Sequence, residues 1–425
     1  MLDTESRAGS GGGKRIHYAW VVLGVTFVCL LTAAAVRSVP GIIVRPLEAE
    51  FGWNRAAIAL AVSINLILYG LAGPLLGRLM DRIGPRAVAT GAFALLGVGA
   101  AGTLFMTKVW QLQLLWGFVV GAGSGGASMV MGATVANRWF HQRRGLALGI
   151  LGAAISAGQL IFTPTIMQLT VRYGWRAGTL FVSAVIGLLL LPVAVLLRNQ
   201  PADMGLRPYG MSEALPAAPP GRADPHPMRL AMRSPDFWLL AGSFGVCGLT
   251  TSGLFQTHLI PHGIEHGFSE MTMALALGLM GATDVVGTIA SGWICDRFGK
   301  RRPLAWYYMF RGISLLVLPQ VHTEGALMGF AVLYGLNWLS TVPATSALAA
   351  DLFGKQNVGT VFGWIFFSHQ MGAAIASYGA GLLRVWLGDY TLSFLLAGGL
   401  AMIGAVMALR IREERPALAA VPAPS

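Results

Sequence analysis

Apolar residues run through this chain in stretches of about 20, the length a helix needs to cross a bilayer, separated by short polar connections. Hydropathy along the sequence places twelve spans at 18–40, 56–77, 87–107, 110–134, 145–168, 176–197, 236–260, 271–293, 303–320, 325–348, 358–382 and 390–409. Helix is expected for each, because backbone in hydrocarbon has to satisfy its own hydrogen bonds. The first stretch follows Lys14 and Arg15 and ends near Ala33-Ala34-Ala35, which has the outline of a cleavable signal peptide. Its length and the eleven spans after it read instead as an uncleaved first span. The longest connection, 198–235, contains "PAAPPGRADPHP", a linker composition, and divides six spans from six. The pattern therefore predicts an all-α membrane protein: a tail at 1–17, a six-helix bundle at 18–197, a central loop at 198–235, a second six-helix bundle at 236–410 and a tail at 411–425.

Composition agrees. Only 11% of the 425 residues are charged and 55% are hydrophobic, against about 25% charged in soluble proteins; mean hydropathy is +0.64. The 56 glycines suit close helix packing in a bilayer. The net charge of +12 raises the question of a nucleic-acid partner, and its distribution answers it. Of the 30 Lys and Arg residues, six fall on the outer side (Arg45, Arg55, Lys108, Arg172, Arg176, Arg384) and two lie at or within spans (Arg37, Arg311), leaving 22 on the side of both termini. That asymmetry makes the termini cytoplasmic and the charge a record of topology, with no nucleic-acid partner.

Several motif-like strings carry no chemistry. "GAGSGG" (121–126) satisfies the dinucleotide-loop spacing, but it sits inside span 4 and reads as packing glycine. "GSGGGKR" (9–15) lacks the spacing and the Ser/Thr of a phosphate loop. His258, His262 and His266 follow helical spacing interrupted by Pro261 and Gly263, so no metal is expected. Cys29, Cys247 and Cys295 lie in apolar segments without metal or disulfide spacing. Without a hydrolase signature or a cofactor motif, the chain is not expected to be an enzyme.

One repeat organises the rest. "GRLMDRIGPR" (77–86) follows span 2 and "GWICDRFGKR" (292–301) follows span 8. Both spell G-x-x-x-D-R-x-G-x-R, 215 residues apart, each after the second span of its half. Parallel repeats of this kind mark transporters built from two related bundles. The motif resembles the short-loop signature of the major facilitator superfamily. The resemblance implies the major facilitator fold, and a conformational-switch role for Asp81, Arg82, Arg86, Asp296, Arg297 and Arg301, which hold one access state through helix-end contacts. Arg143 and Arg144, after span 4, join that set as charges at a helix boundary. "NRWFHQRRGLALGILGAAISAG" (137–158), "HYAWVVLG" (17–24) and "HLIPHGIEHGFSE" (258–270) look like the branch of monocarboxylate transporters and bacterial oxalate–formate antiporters.

Asp284 is the most informative single residue. It lies 12 residues before Asp296, about 18 Å along a helix, and half a hydrocarbon core is about 15 Å. The acid therefore lies near the midplane, where a charge costs about 2.5–3.5 kcal/mol and where transporters bind substrate. Desolvation favours the uncharged form of a carboxyl, which suits it to carrying a proton. The resemblance agrees, since monocarboxylate transporters use an Asp at the matching place in proton coupling. The competing reading is an Asp capped by Thr283 or Thr288. Those porters also place a carboxylate-binding Arg one turn later, where this chain has Thr288. A cation from elsewhere is then required: Arg37, which otherwise snorkels to the interface, or Arg311, which otherwise forms a structural ion pair. Polar residues within spans, among them Asn65, Tyr69, Gln159, Gln256, His258, Tyr334, Asn337, Trp338, His369 and Gln370, either bind substrate or glue helices. His369 lies near the place of a basic residue in the oxalate antiporters.

The expected function is a secondary transporter in a bacterial inner membrane, moving a small organic anion, a carboxylate, coupled to protons through Asp284. Its partners are that substrate, protons and the bilayer. The expected substrate-binding set is Arg37, Asn65, Tyr69, Asp284, Thr288, Asn337, Trp338 and His369. The alternatives are an exporter of amphipathic or aromatic compounds and a transporter-like ligand sensor, against which the short tails argue.

Overall fold

The computed structural model describes residues 17–53, 55–211 and 226–412. The Lys14–Arg15 pair, the string 9–15 and most of "PAAPPGRADPHP" lie outside the described residues. Within them the chain crosses back and forth in twelve helical passes. They are α1 (Tyr18–Phe51), α2 (Arg55–Ile83), α3 (Pro85–Thr103), α4 (Val109–Trp139, in pieces), α5 (Arg144–Tyr173), α6 (Trp175–Leu196), α7 (Pro235–Glu265), α8 (Glu270–Phe298), α9 (Arg301–Val317), α10 (Glu324–Gly335 and Thr341–Phe353), α11 (Val358–Leu387) and α12 (Thr391–Arg410). Nine passes are long and apolar enough by themselves to cross a membrane; α9, α10 and α11 are more polar or interrupted.

Pass boundaries depart from hydropathy most at the end of α1. The apolar run stops near residue 40, but the helix continues because Ile42, Ile43 and Leu47 keep one face buried. It stops at Gly52, whose φ of 65° breaks the helix and whose N–H donates back to the Glu48 carbonyl at 3.0 Å. "GAGSGG" is helical inside α4 and fully packed: a Cβ on Gly123 would lie 2.9 Å from the Ala92 carbonyl oxygen.

α1–α6 and α7–α12 form two bundles. They meet chiefly through two helix pairs, α2 with α11 and α5 with α8, and through the last piece of α4 against α10 and α11. Glycine makes the approach close enough for backbones to touch. A methyl group on Gly77 would collide with the Gly359 carbonyl, and one on Gly145 with the Gly292 carbonyl. This packing ends near the middle of the passes. Along α2 the stripe Gly77, Gly73 and Gly70 lies against Gly359, Gly363 and Gln370, but Leu66, one turn on, is 59% exposed. Along α5 the stripe Gly145, Gly149, Gly152 and Ser156 is buried, while Leu160 is 44% exposed. The halves are thus closed on the face that carries the two loop motifs, here called the motif face, and part beyond the middle. At the opposite face each half has its own ion pair, Arg176 with Glu50 (2.6 Å) and Arg384 with Glu265 (2.8 Å). The Trp175 indole N–H, and after it Arg176, hold the exposed Glu50 carboxyl below the usual glutamate range.

Candidate functional site

On the motif face the two repeat acids act on each other's bundles. Asp296, at the end of α8, accepts from the N–H groups of Gly145 (2.7 Å) and Leu146 (2.8 Å) in the first turn of α5. Asp81, at the end of α2, accepts from the Gly359 N–H (3.2 Å), the Thr360 N–H (2.6 Å) and the Thr360 hydroxyl (2.7 Å) at the start of α11. The first N–H groups of a helix have no partner inside it and carry the positive end of its dipole, so a carboxylate is the natural stopper. Each half thus caps one helix of the other, an arrangement that exists only while the face is closed.

The arginines divide. Arg144 donates to Asp351 of α10 at 2.5 Å, and Lys300 pairs with the other oxygen at 2.9 Å, adding a bridge between halves. Asp81 takes its cation from Arg138 at 3.5 Å, a residue the motif does not contain. Arg86 stays within its own half, donating its Nε to the Ala194 carbonyl at 2.7 Å. Arg297 lies over the rings of Trp293 and Phe298, and Arg301 donates to the Ile411 carbonyl at 3.5 Å. Arg82 is exposed, and Arg143, also exposed, takes the left-handed position (φ 55°) just before α5.

Asp284 is 1% exposed and sits where the packing between halves ends. Ser156 of α5, in the other half, donates to its Oδ2. Thr288 donates at 3.1 Å and the Leu339 N–H at 2.9 Å to Oδ1. Leu339 lies in the break between the two pieces of α10. Arg311, fully buried, serves the other side of the same break, donating to the carbonyls of Asn337 (2.9 Å) and Trp338 (2.8 Å) and to Cys247 Sγ (3.0 Å). Acid and guanidinium thus satisfy the two ends of an interrupted helix. Arg311 is a carbonyl clamp in this arrangement, where the sequence suggested a substrate cation or a structural ion pair. Thr288, not Thr283, caps the acid; Thr283 donates to the Leu279 carbonyl at 2.9 Å.

The remaining site candidates separate by what they touch. Asn65 donates to the Trp116 carbonyl (2.8 Å) and Asn337 to the Tyr307 carbonyl (3.0 Å), both joining helices within one half. Trp338 is partly buried and packs edge-on to Phe255. Arg37 donates to the Tyr69 hydroxyl at 3.0 Å and lies over the Tyr69 ring. Tyr69 meets Phe366 of α11, Phe366 stacks on His369, and Phe244 of α7 packs tilted against that imidazole. A row of rings therefore crosses from one half to the other, with a cation at one end and an imidazole at the other. Among the described residues Arg37 Nε and His369 Nδ1 are both buried without a hydrogen-bond partner, as Arg311 Nε also is.

Ser156, Arg138, Asp351 and the Leu339 N–H were not legible as site groups, since their partners lie 51 to 207 residues away. Only the stripe Gly145, Gly149, Gly152 and Ser156 hinted that this serine faces another helix.

Comparison with known proteins places the fold. A family model described as Major Facilitator Superfamily matches residues 26–336 and 264–425. An uncharacterized MFS-type transporter of Bacillus subtilis, YcxA, is 26% identical over 369 residues, 85% of this chain and 88% of that protein. Monocarboxylate transporter 13 of Rattus norvegicus is 26% identical over 394 residues, 91% of this chain and 87% of its own length. Among solved structures, the transporter FucP in the outward conformation covers 92% of this chain and 99% of itself with a TM-score of 0.72 at 15% identity. The proton:xylose symporter XylE covers 93% and 96% with a TM-score of 0.73 at 16% identity. The last two likenesses speak for the fold alone. From the matched family model and the paired six-helix bundles, the chain belongs to the Major Facilitator Superfamily: it is an integral membrane transporter, not an enzyme.

Proposed function

We propose that the chain moves a small organic anion, a carboxylate, by alternating access, coupled to protons through Asp284. The observation that carries this reading is the place of that carboxyl: fully buried, at mid-depth, and hydrogen-bonded across the boundary between halves to Ser156. An ionised Asp284 accepts three hydrogen bonds. A proton on it occupies an oxygen lone pair and weakens the link to Ser156, so protonation and the opening of the bundles are linked. Arg37 supplies positive charge for a carboxylate and the His369 imidazole, farther along the ring row, a polar group, which the substitution of Thr288 for the branch's arginine makes necessary. The excess of Lys and Arg beside the loop motifs supports a cytoplasmic motif face and cytoplasmic termini, in keeping with the bacterial inner membrane of this reading. The conformation is then the one open to the outside, with bundles 18–197 and 236–410 as the rocking bodies and 198–235 as their tether. The match to monocarboxylate transporters favours the carboxylate class. The rings of Tyr69, Phe366 and Phe244 favour a second reading, export of an aromatic or amphipathic compound.

The test uses purified protein in liposomes holding a pH dye, with a panel of mono- and dicarboxylates, aromatic acids and lipophilic cations, comparing wild type with Asp284→Asn. Proton entry driven by one acid and lost in the variant is expected. Substrate uptake without proton movement, unchanged in the variant, would overturn the coupling.

A further inference from the structure

The connection between the halves does not leave the first half at once. After α6 it runs back along that half on the motif face. The Tyr18 hydroxyl donates to the Leu196 carbonyl at 2.8 Å, the Trp139 indole N–H donates to the Arg198 carbonyl at 3.3 Å, and Asn199 Oδ1 accepts from the Arg86 N–H at 3.0 Å. A single turn, Pro201–Met204, follows, and the chain then meets the α4–α5 turn at 140–143. There Tyr209 forms an isolated parallel β-bridge with Phe140. Its N–H donates to the Trp139 carbonyl at 2.8 Å, and its carbonyl accepts from the N–H groups of His141 (3.0 Å) and Gln142 (3.1 Å). Its ring sits among those of His17, Trp20 and Phe140, with centroids 5.5 to 5.7 Å apart. Gly210 comes next with φ 79°, and a Cβ on it would lie 2.5 Å from the Gln142 side chain, so the crossing suits glycine.

The turn held in this way carries part of the gate. Arg143 takes the left-handed φ of 55°, a conformation that a residue other than glycine keeps only when its surroundings enforce it. Arg144 comes next and reaches Asp351, and the following N–H groups, of Gly145 and Leu146, receive Asp296. The N–H groups of His141 and Gln142 lie ahead of the helix, where they have no helical acceptor, and Tyr209 supplies one for both. The second half holds its own turn, between α10 and α11, differently. That turn closes on itself through Lys355–Asn357, the Asn357 N–H donating to the Gly354 carbonyl at 3.1 Å. Its positive φ of 91° falls on Gly354, which needs no outside support for it.

We propose that Tyr209 is a positioning residue of the gate: docked on Phe140, it fixes the α4–α5 turn so that Arg144 meets Asp351, and it thereby favours the closed motif face. The inference rests on the alternating access of the two halves, and on neither the substrate nor Asp284. The connection is then more than a tether, since as far as Gly210 it belongs to the first half and acts on that half's contact with the second.

The test uses the full chain in nanodiscs, with nitroxide labels on cysteines placed at Ile83 and Leu409. Both positions are exposed, at the motif-face ends of α2 and α12, and the native cysteines are buried. Double electron–electron resonance reads the distance between the halves, and circular dichroism checks that each variant folds. Tyr209→Ala, which removes the ring, and Gly210→Val, which drives a side chain into Gln142, should each lower the ratio of closed to open populations about three- to tenfold. Tyr209→Phe keeps the ring and should keep the ratio of the wild type. Asp351→Asn should also lower it, and Tyr209→Ala added to Asp351→Asn should lower it little further, because the two act through one contact. Populations unchanged in Tyr209→Ala overturn the proposal, even with a fall in thermal stability, since Tyr209 would then be structural alone. A fully additive double variant overturns it too. Failure of alternating access looks different: one unchanging distance in the wild type and in Asp351→Asn alike, with which the proposal falls as well.

Discussion

The two halves share one architecture, yet among the described residues the second carries two fully buried ionisable side chains at its centre, Asp284 and Arg311, that the first does not match. The shift of 215 residues that aligns the loop motifs maps Asp284 onto Tyr69 and Arg311 onto Leu96. Leu96 is fully buried in apolar packing, and Tyr69 answers Arg37 with a neutral hydroxyl. Both halves also contain a broken helix, repaired differently. In α4 the break at Ala127–Ser128 is closed locally, the Ser128 hydroxyl accepting from the Val130 N–H at 3.3 Å. In α10 the break is held by Asp284 and Arg311 from two other helices. A local cap leaves its helix independent. A long-range one makes the break responsive to whatever titrates or moves Asp284, and through Ser156 to the other half. Both halves contribute to the gate on the motif face, and under the proposed coupling the titrating group belongs to the second.

The largest expected effect tests the clamp. Arg311→Met removes the guanidinium from the carbonyls of Asn337, which keeps only the Ser340 N–H at 3.3 Å, and of Trp338, a loss of about 1.5–3 kcal/mol for buried hydrogen bonds from a charged donor. The counterpart change Leu96→Met conserves volume and costs under about 1.5 kcal/mol. Denaturation of the two variants in mild detergent checks the contrast, and equal losses would erase the distinction between the halves.

Next come the glycine contacts, where the halves are expected to behave alike. Gly77→Val and Gly292→Val each drive a side chain into facing backbone on the motif face. Each should destabilise the closed face by about 1–3 kcal/mol, raising the reactivity of a thiol placed on that face. A response from one variant alone breaks the pseudo-symmetry of the gate. The caps should then separate the two sides. Asp81 has three donors and Arg138, whereas Asp296 has two backbone donors. Asp81→Asn is expected to open the face more than Asp296→Asn, each within about 0.3–2 kcal/mol, read by the same thiol.

The smallest effect lies at the opposite face. Glu50 and Glu265 are counterparts under the shift, but only Glu50 also accepts from an indole, Trp175 at 2.6 Å. Its carboxyl titrates below the ordinary value of 4.5, so its contribution is present above that value and fades as pH falls through the depressed one. The group is solvent-exposed, and screening limits the contribution to well under about 1 kcal/mol. Glu50→Gln should flatten the acid limb of the thermal stability profile slightly, and an unchanged profile would leave the pair without energetic weight.

The sequence by itself determined the passes, the repeat and the distance of Asp284 along its helix from the loop motif. Hydropathy is a sum over neighbours, the motif is a string of neighbours, and a helix converts residue number into depth at a constant rise. The end of α1 escaped hydropathy because 42–51 is held by a half-buried face and a glycine stop. Only the tertiary structure decided what each polar residue does. Asn65 and Asn337 turned out to join helices, Arg37 to face Tyr69, and Arg311 to clamp carbonyls. The acids Asp81 and Asp296 met backbone N–H groups of the other half, whereas Arg82 was left exposed. The backbone partners of Arg311, Asp81 and Asp296 are orphan groups at helix ends and breaks, 26 to 279 residues away, while Asn65 and Asn337 meet carbonyls inside helices and Arg37 a tyrosine hydroxyl. An N–H or a carbonyl is present in nearly every residue and leaves no mark in a sequence. It becomes a binding partner only when packing strips it of its own helix and brings a charge to it.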